Sequence, residues 1–132
     1  MANQPSPAVG QGPRPAAAGS MPTSEPGPLD RTAGEQVTNP LTARTSAIAN
    51  GRALYSIYCT PCHGASGSGR DGAVAKFFPR VGDLTSADTQ QHGDGWIFAT
   101  IAAGTQTMPA YGHELSSDER WQIVAFVRTL RR

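Results

Sequence analysis

Large apolar side chains are scarce in the first 45 residues and recur at helical steps from there on. Ile48, Gly51, Tyr55 and Tyr58 follow one another at steps of three or four, one face of a helix. Ser46 stands where it can cap that helix, which runs into Cys59 and ends at Pro61. Ala73, Val74 and Phe77 fit a short turn closed by Pro79. Asp94 has the place of an N-cap for a second helix carrying Trp96, Ile97, Phe98 and Ile101, with Gly104 as its stop. The last helix has the strongest local signals. Ser116 and Glu119 form a capping box, and Trp121, Val124, Val127 and Leu130 make one stripe, widened by Ile123 and Phe126. Arg128, Arg131 and Arg132 close it, where cations suit the helix dipole. Residues 64–72, 81–91 and 105–114 read as loops. No stretch alternates as a strand does, so the fold class is all-α, with three to four short helices and long loops.

Composition divides the chain. Eight of its eleven prolines lie before residue 46, interleaved with Ala, Gly, Ser and Gln. Such a segment cannot bury enough apolar surface to offset its ordering entropy. Residues 1–45 are therefore expected to form an extended tail, either a passive linker or a strap that orders on a partner. Val37, Pro40 and Leu41 are its candidate contact points. Residues 46–132 are expected to form the folded domain. The hydrophobic fraction of 38% and aromatic fraction of 7% are thin for a self-sufficient core, and a prosthetic group could supply the missing apolar mass.

A net charge of +1 gives no electrostatic case for nucleic acid. No apolar run is long enough to span a membrane, and the N-terminal residues lack the apolar stretch of a signal peptide. The two cysteines, Cys59 and Cys62, are too few and too close for a disulfide framework.

Their context carries the chemistry. Cys59-Thr60-Pro61-Cys62-His63 is a C-x-x-C-H run, which reads as attachment of a c-type haem. Two thiols one turn apart can reach the two vinyl groups on one porphyrin edge, and the adjacent histidine then lies under the ring and reaches the iron. Its second ring nitrogen needs an orienting partner, expected to be a backbone carbonyl of the Phe78–Arg80 stretch, Pro79 first. Three other readings compete. A thioredoxin-like pair needs a preceding strand and alternating β and α units. Zinc needs a further ligand at a matching spacing, which His92 and His113 do not give. The third is a plain structural disulfide, against which the five-residue motif and its context favour haem.

For the opposite face of the iron, Met108 lies in a loop stiffened by Pro109, whereas Met1 and Met21 lie in the tail. A thioether there raises the potential and suits electron transfer. Core packing by Met108, ligation by His92 or His113, and an open site remain alternatives at this level. Trp96 and Arg80 can donate N–H groups to haem propionates, or serve as a buried aromatic and a solvated charge. Gly67-Ser68-Gly69-Arg70-Asp71-Gly72 matches G-x-G-x-x-G, but lacks the strand that dinucleotide binding requires. It is expected to wrap the haem edge.

These motifs, in this order, make the chain similar to the class I c-type cytochromes over roughly Ala47 to Leu130. The resemblance implies a cytochrome c fold around one covalent haem c, with the first and last helices crossing so that Gly51 and Tyr55 meet Ile123 and Phe126. It also implies Met108 as distal ligand. Asn50-Gly51-Arg52-Ala53-Leu54-Tyr55, Asp71-Gly72-Ala73-Val74-Ala75, Met108-Pro109-Ala110-Tyr111 and the Asn39-Pro40-Leu41 entry resemble the small monohaem subunit of alternative complex III, a bacterial membrane quinol–cytochrome c oxidoreductase. The implied role is electron transfer without substrate turnover. Partners would be redox proteins or membrane-complex subunits, met through the haem edge and the tail, and the implied location is periplasmic. The lipobox cysteine of such subunits is not seen. A free soluble carrier, or a haem enzyme or sensor with an open sixth site, are the alternatives.

Overall fold

The computed structural model describes residues 29–41, 44–78 and 80–132. Among the described residues the regular structure is entirely helical: α1 (Arg31–Gly34), α2 (Thr45–Tyr58), α3 (Thr60–His63), a 3₁₀ turn (Ala75–Phe77), α4 (Ala87–Gln90), α5 (Asp94–Ala103) and α6 (Ser117–Arg128). No strand occurs among them. No helix among them is long and apolar enough to cross a membrane.

The principal packing is α2 against α6. Gly51 permits it, because a Cβ there would overlap the Gln122 carbonyl and press on the Ile123 amide at 3.1 Å. One turn on, the Tyr55 ring meets Phe126 with centroids 5.0 Å apart, and its hydroxyl donates to the Gly64 carbonyl at 2.6 Å. The expected crossing is therefore present, residue for residue. Beneath it lie Ile97, Phe98, Ile101, Leu115, Ile123, Val124 and Val127, all buried.

Helix ends follow local chemistry in part. At α6 the Ser116 hydroxyl accepts from the Glu119 amide at 3.1 Å and the Glu119 carboxylate accepts from the Ser116 amide at 2.8 Å, the expected box. At α2 the N-cap position falls on Arg44, with no side-chain cap, and Ser46 sits inside the first turn. At α5 the N-cap is Gly93. The Asp94 carboxylate is occupied elsewhere, by the Arg128 Nε at 2.8 Å and the Asn39 amide at 2.9 Å. α4 lies in a stretch read as loop; Ser86 caps it, accepting from Thr89. Pro61 opens α3 rather than simply closing α2.

The packed unit starts before residue 46. Asp30 caps α1 by accepting from the Ala33 amide at 2.7 Å. α1 lies on α5 so closely that a Cβ on Gly34 would overlap the Gly95 carbonyl. The Gly95 amide donates to Val37 at 2.9 Å. Asn39 is buried; its amide side chain donates to the Trp121 carbonyl at 2.8 Å and accepts from the Leu41 amide at 2.8 Å. A composition argument weighs apolar mass alone. Here polar side-chain bonds and a glycine-to-glycine approach do the holding, so residues 29–41 depart from the expected extended tail.

Candidate haem site

A cavity of about 240 Å³ opens among residues of α2, α3, α5 and α6 and the loops 78–84 and 105–111. Its wall is mostly apolar: Tyr55, Ile97, Ile101, Ile123 and Val127 are both core and lining. Cys59, Cys62, His63 and Met108 all stand on it.

α3 presents the attachment motif. Both cysteines are free thiols. Burial, with the neighbouring Cys62, pushes the Cys59 thiol up to about 12. A thiol held protonated in this way is a poor participant in disulfide exchange, which argues against the thioredoxin-like reading. Among the described residues no three His, Cys, Asp or Glu side chains gather as a group that could hold a metal ion.

The His63 ring is fixed at one nitrogen. Its Nδ1 lies 3.0 Å from the Gly82 carbonyl oxygen, and burial lowers its affinity for a proton against the opposing effect of that bond. Nε2 is left for a ligand field, the arrangement that metal-bound histidines need. The carbonyl is that of Gly82, outside the Phe78–Arg80 stretch expected from the sequence; Pro79 itself lies outside the described residues. The loop between explains the displacement. His63 O accepts from the Gly69 amide at 2.9 Å, and Gly67 O from the Leu84 amide at 2.7 Å. Gly67 and Gly69 both have φ +83°, and a Cβ on Gly72 would overlap the Cys62 carbonyl. The G-x-G-x-x-G run thus folds back on the cysteine motif and carries the chain to Gly82.

Met108 is held by a tight loop. Gly104 ends α5 with φ +69°. The Thr105 amide donates to the Met108 carbonyl at 2.9 Å, and the Met108 amide donates to Thr105 Oγ1 at 3.0 Å. The Tyr111 amide then donates back to Ile101 at 2.9 Å. Of the three side chains considered for the second axial position, Met108 lines the cavity, whereas His92 and His113 do not. Met1 and Met21 lie outside the described residues.

Trp96 and Arg80 also line the cavity. The Trp96 indole N–H has no acceptor among the described residues, and its ring stacks on His92 with centroids 3.6 Å apart and planes 4° from parallel. Arg80 is exposed, with no carboxylate partner among the described residues. Sequence reasoning missed Tyr58 and Tyr111, which meet edge-to-face at 5.7 Å on the wall. Tyr58 directly precedes Cys59 and Tyr111 closely follows Met108, and that adjacency to the two motifs was the available signal.

The residues present fit a haem c: two thiols, an oriented imidazole, a thioether, apolar walls and N–H donors on one cavity. The profile of the family described as cytochrome C oxidase, cbb3-type, subunit III matches residues 46–127. The chain belongs to this family. It is 34% identical over 101 residues to the cbb3-type cytochrome c oxidase subunit CcoP of Azospirillum brasilense, covering 65% of this chain and 32% of that protein. It is 28% identical over 85 residues to the cytochrome bc1 complex cytochrome c subunit of Corynebacterium diphtheriae, covering 64% and 27%. The chain thus spans about a third or less of these relatives' length. Among solved structures, cytochrome CL of the marine methylotroph Methylophaga aminisulfidivorans aligns with a TM-score of 0.58 at 26% identity, covering 71% of this chain and 59% of that one. This is a c-type cytochrome domain of the electron-carrier kind, related to cytochrome subunits of respiratory complexes.

Proposed function

We propose that the chain carries one covalent haem c and passes single electrons within, or out of, a membrane respiratory complex on the periplasmic side. The observation that carries this is the meeting of Cys59, Cys62, His63 and Met108 on one apolar cavity, with the His63 Nδ1 already held by Gly82. The relatives named as respiratory-complex subunits support the setting. The resemblance to the alternative complex III subunit rests on the short motifs alone.

When bound, the haem supplies a one-electron Fe(II)/Fe(III) couple. The chain's own work is positional. Cys59 and Cys62 would hold the haem through thioether links, and His63 Nε2 and Met108 Sδ would bind its iron. The Gly82 carbonyl holds the imidazole in one orientation, and the Thr105–Met108 bonds hold the thioether loop. Ligands held this firmly move little between oxidation states, which keeps the cost of electron transfer low. Trp96 and Arg80 would donate to the propionates. Ile97, Ile101, Ile123 and Val127 exclude water and thereby favour the less charged, reduced state.

The test is the visible spectrum of purified protein and of Met108→Ala. The parent is expected to show a low-spin spectrum with the weak far-red methionine-to-iron band when oxidised. The variant is expected to lose that band and to have a lower potential. An unchanged spectrum in the variant overturns the ligand assignment. High-spin parent protein that binds carbon monoxide readily would instead favour an open sixth site.

A further inference from the structure

We infer that Glu35 and His92 are positioning residues for the haem pocket, setting the place and polarity of the Trp96 indole and, through it, the potential at the iron. This rests on the haem reading of the cavity. It goes beyond that reading because Glu35 lies outside residues 46–127, the part that the family match covers.

Trp96 lines the cavity and His92 does not, so any influence of His92 passes through the indole. The two rings are stacked at 3.6 Å and are parallel within 4°. His92 is held at its ring and at its backbone. Its Nδ1 lies 2.7 Å from Glu35 Oε2. The His92 backbone carbonyl accepts from Arg128 Nη2 at 2.6 Å. The other Glu35 oxygen accepts from the adjacent Gly93 amide. Glu35 in turn follows α1, which is seated by the Gly34–Gly95 approach. Arg31 of the same helix places its guanidinium 5.2 Å from the Trp96 ring centroid.

The charged groups around the imidazole are therefore Arg31 from α1, Glu35 just after it, Arg128 from α6 and Asp94 from α5. Asp94 is neutralised by its pair with Arg128. Glu35 remains as the imidazole's direct counter-ion, its carboxyl held below the usual range chiefly by the Gly93 amide and by His92. A protonated His92 gains the Glu35 pair and a cation–π contact with the indole face. Its positive charge, one ring away from the cavity, favours the reduced iron. A charged imidazole therefore gives a higher potential than a neutral one, and a change of charge on this ring is read out at the iron through the indole.

The experiment is the midpoint potential of the holoprotein against pH, for the parent, His92→Gln and Glu35→Gln. The parent is expected to show a potential that declines through one inflection. His92→Gln is expected to remove that inflection. Glu35→Gln, which strips the counter-ion but keeps a hydrogen-bonding group, is expected to move it to lower pH. The same inflection in all three proteins overturns the proposal. So does an inflection that persists in His92→Gln, since it would then belong to another group. If His92→Gln does not fold, an unmoved inflection in Glu35→Gln is by itself sufficient to overturn it. The visible spectrum of each sample separately reports whether the ligand reading holds.

Discussion

The His63 imidazole is oriented by the Gly82 carbonyl, 3.0 Å from Nδ1. No side chain makes this bond, so its sensitivity lies in the backbone on either side. A Cβ on Gly82 meets nothing within 4 Å, and Gly82 is not among the glycines with positive φ. Gly82→Ala should therefore meet no protein atom and leave the bond between the residue-82 carbonyl and His63 in place. Gly69 is the opposite case. It has φ +83°, and a Cβ there would press to 2.9 Å on the Gly82 carbonyl oxygen itself. Gly69→Ala should destabilise the protein and disturb the bond between the Gly82 carbonyl and His63 Nδ1. Thermal melts and the visible spectrum of the two variants check the contrast.

The α2–α6 crossing has no room for a side chain at Gly51. Gly51→Ala should force the helices apart and cost about 1–3 kcal/mol, the usual range for overpacking. Chemical denaturation measures it, and an unchanged midpoint would contradict the close approach.

Arg128 joins four segments. It donates to Asp94, to the Gln90 carbonyl at 3.0 Å, to Gln90 Oε1 at 3.2 Å and to the His92 carbonyl at 2.6 Å. Arg128→Met leaves a half-buried carboxylate and two carbonyls without these donors. A loss of about 2 kcal/mol or more is expected, against well under 1 kcal/mol for Arg131→Met on the exposed end. Denaturant midpoints of both variants test the difference.

Much of the folded part was legible because its signals are local. The Ser116–Glu119 box spans one turn, and the Cys59–His63 run carries its own spacing. Gly51 and Tyr55 were placed against α6 by resemblance, and their partners Ile123 and Phe126 lie where that resemblance put them. Three features were not legible, for one physical reason. The Gly82 carbonyl, the Arg128 pairing and the docking of α1 all depend on which distant backbone arrives at a given point. Arg128 looked like a cation completing a helix dipole, because residue type and position say nothing of Asp94, 34 residues away. Gly82 looked like loop filler, because every residue offers a carbonyl.

Asp83 gives an acid-dependent contribution. Bonds from the Thr85 hydroxyl and amide, at 2.6 and 2.9 Å, hold its carboxyl below the ordinary range, with Arg132 adding to the effect. A folded-state value below the unfolded one means that the unfolded chain binds the proton first. The stabilisation is thus fully present above the ordinary carboxylate range and is lost as pH falls through the lower folded value. Asp83→Asn should flatten the acid limb of a stability–pH curve and change little near neutrality in that slope. An acid limb as steep as the parent's would assign the effect to other carboxylates.

Tyr55, Cys59, Ile97, Ile101, Ile123 and Val127 belong at once to the walls of the cavity and to the centre of the fold. Filling the cavity and closing the core are therefore coupled. Quality control of the chain would then be chemical. On the proposed reading, a molecule without its haem would have an unfilled centre and open more often. Proteases that sample open forms would remove it in proportion to that opening, so survival of the chain would track the filling of its cavity.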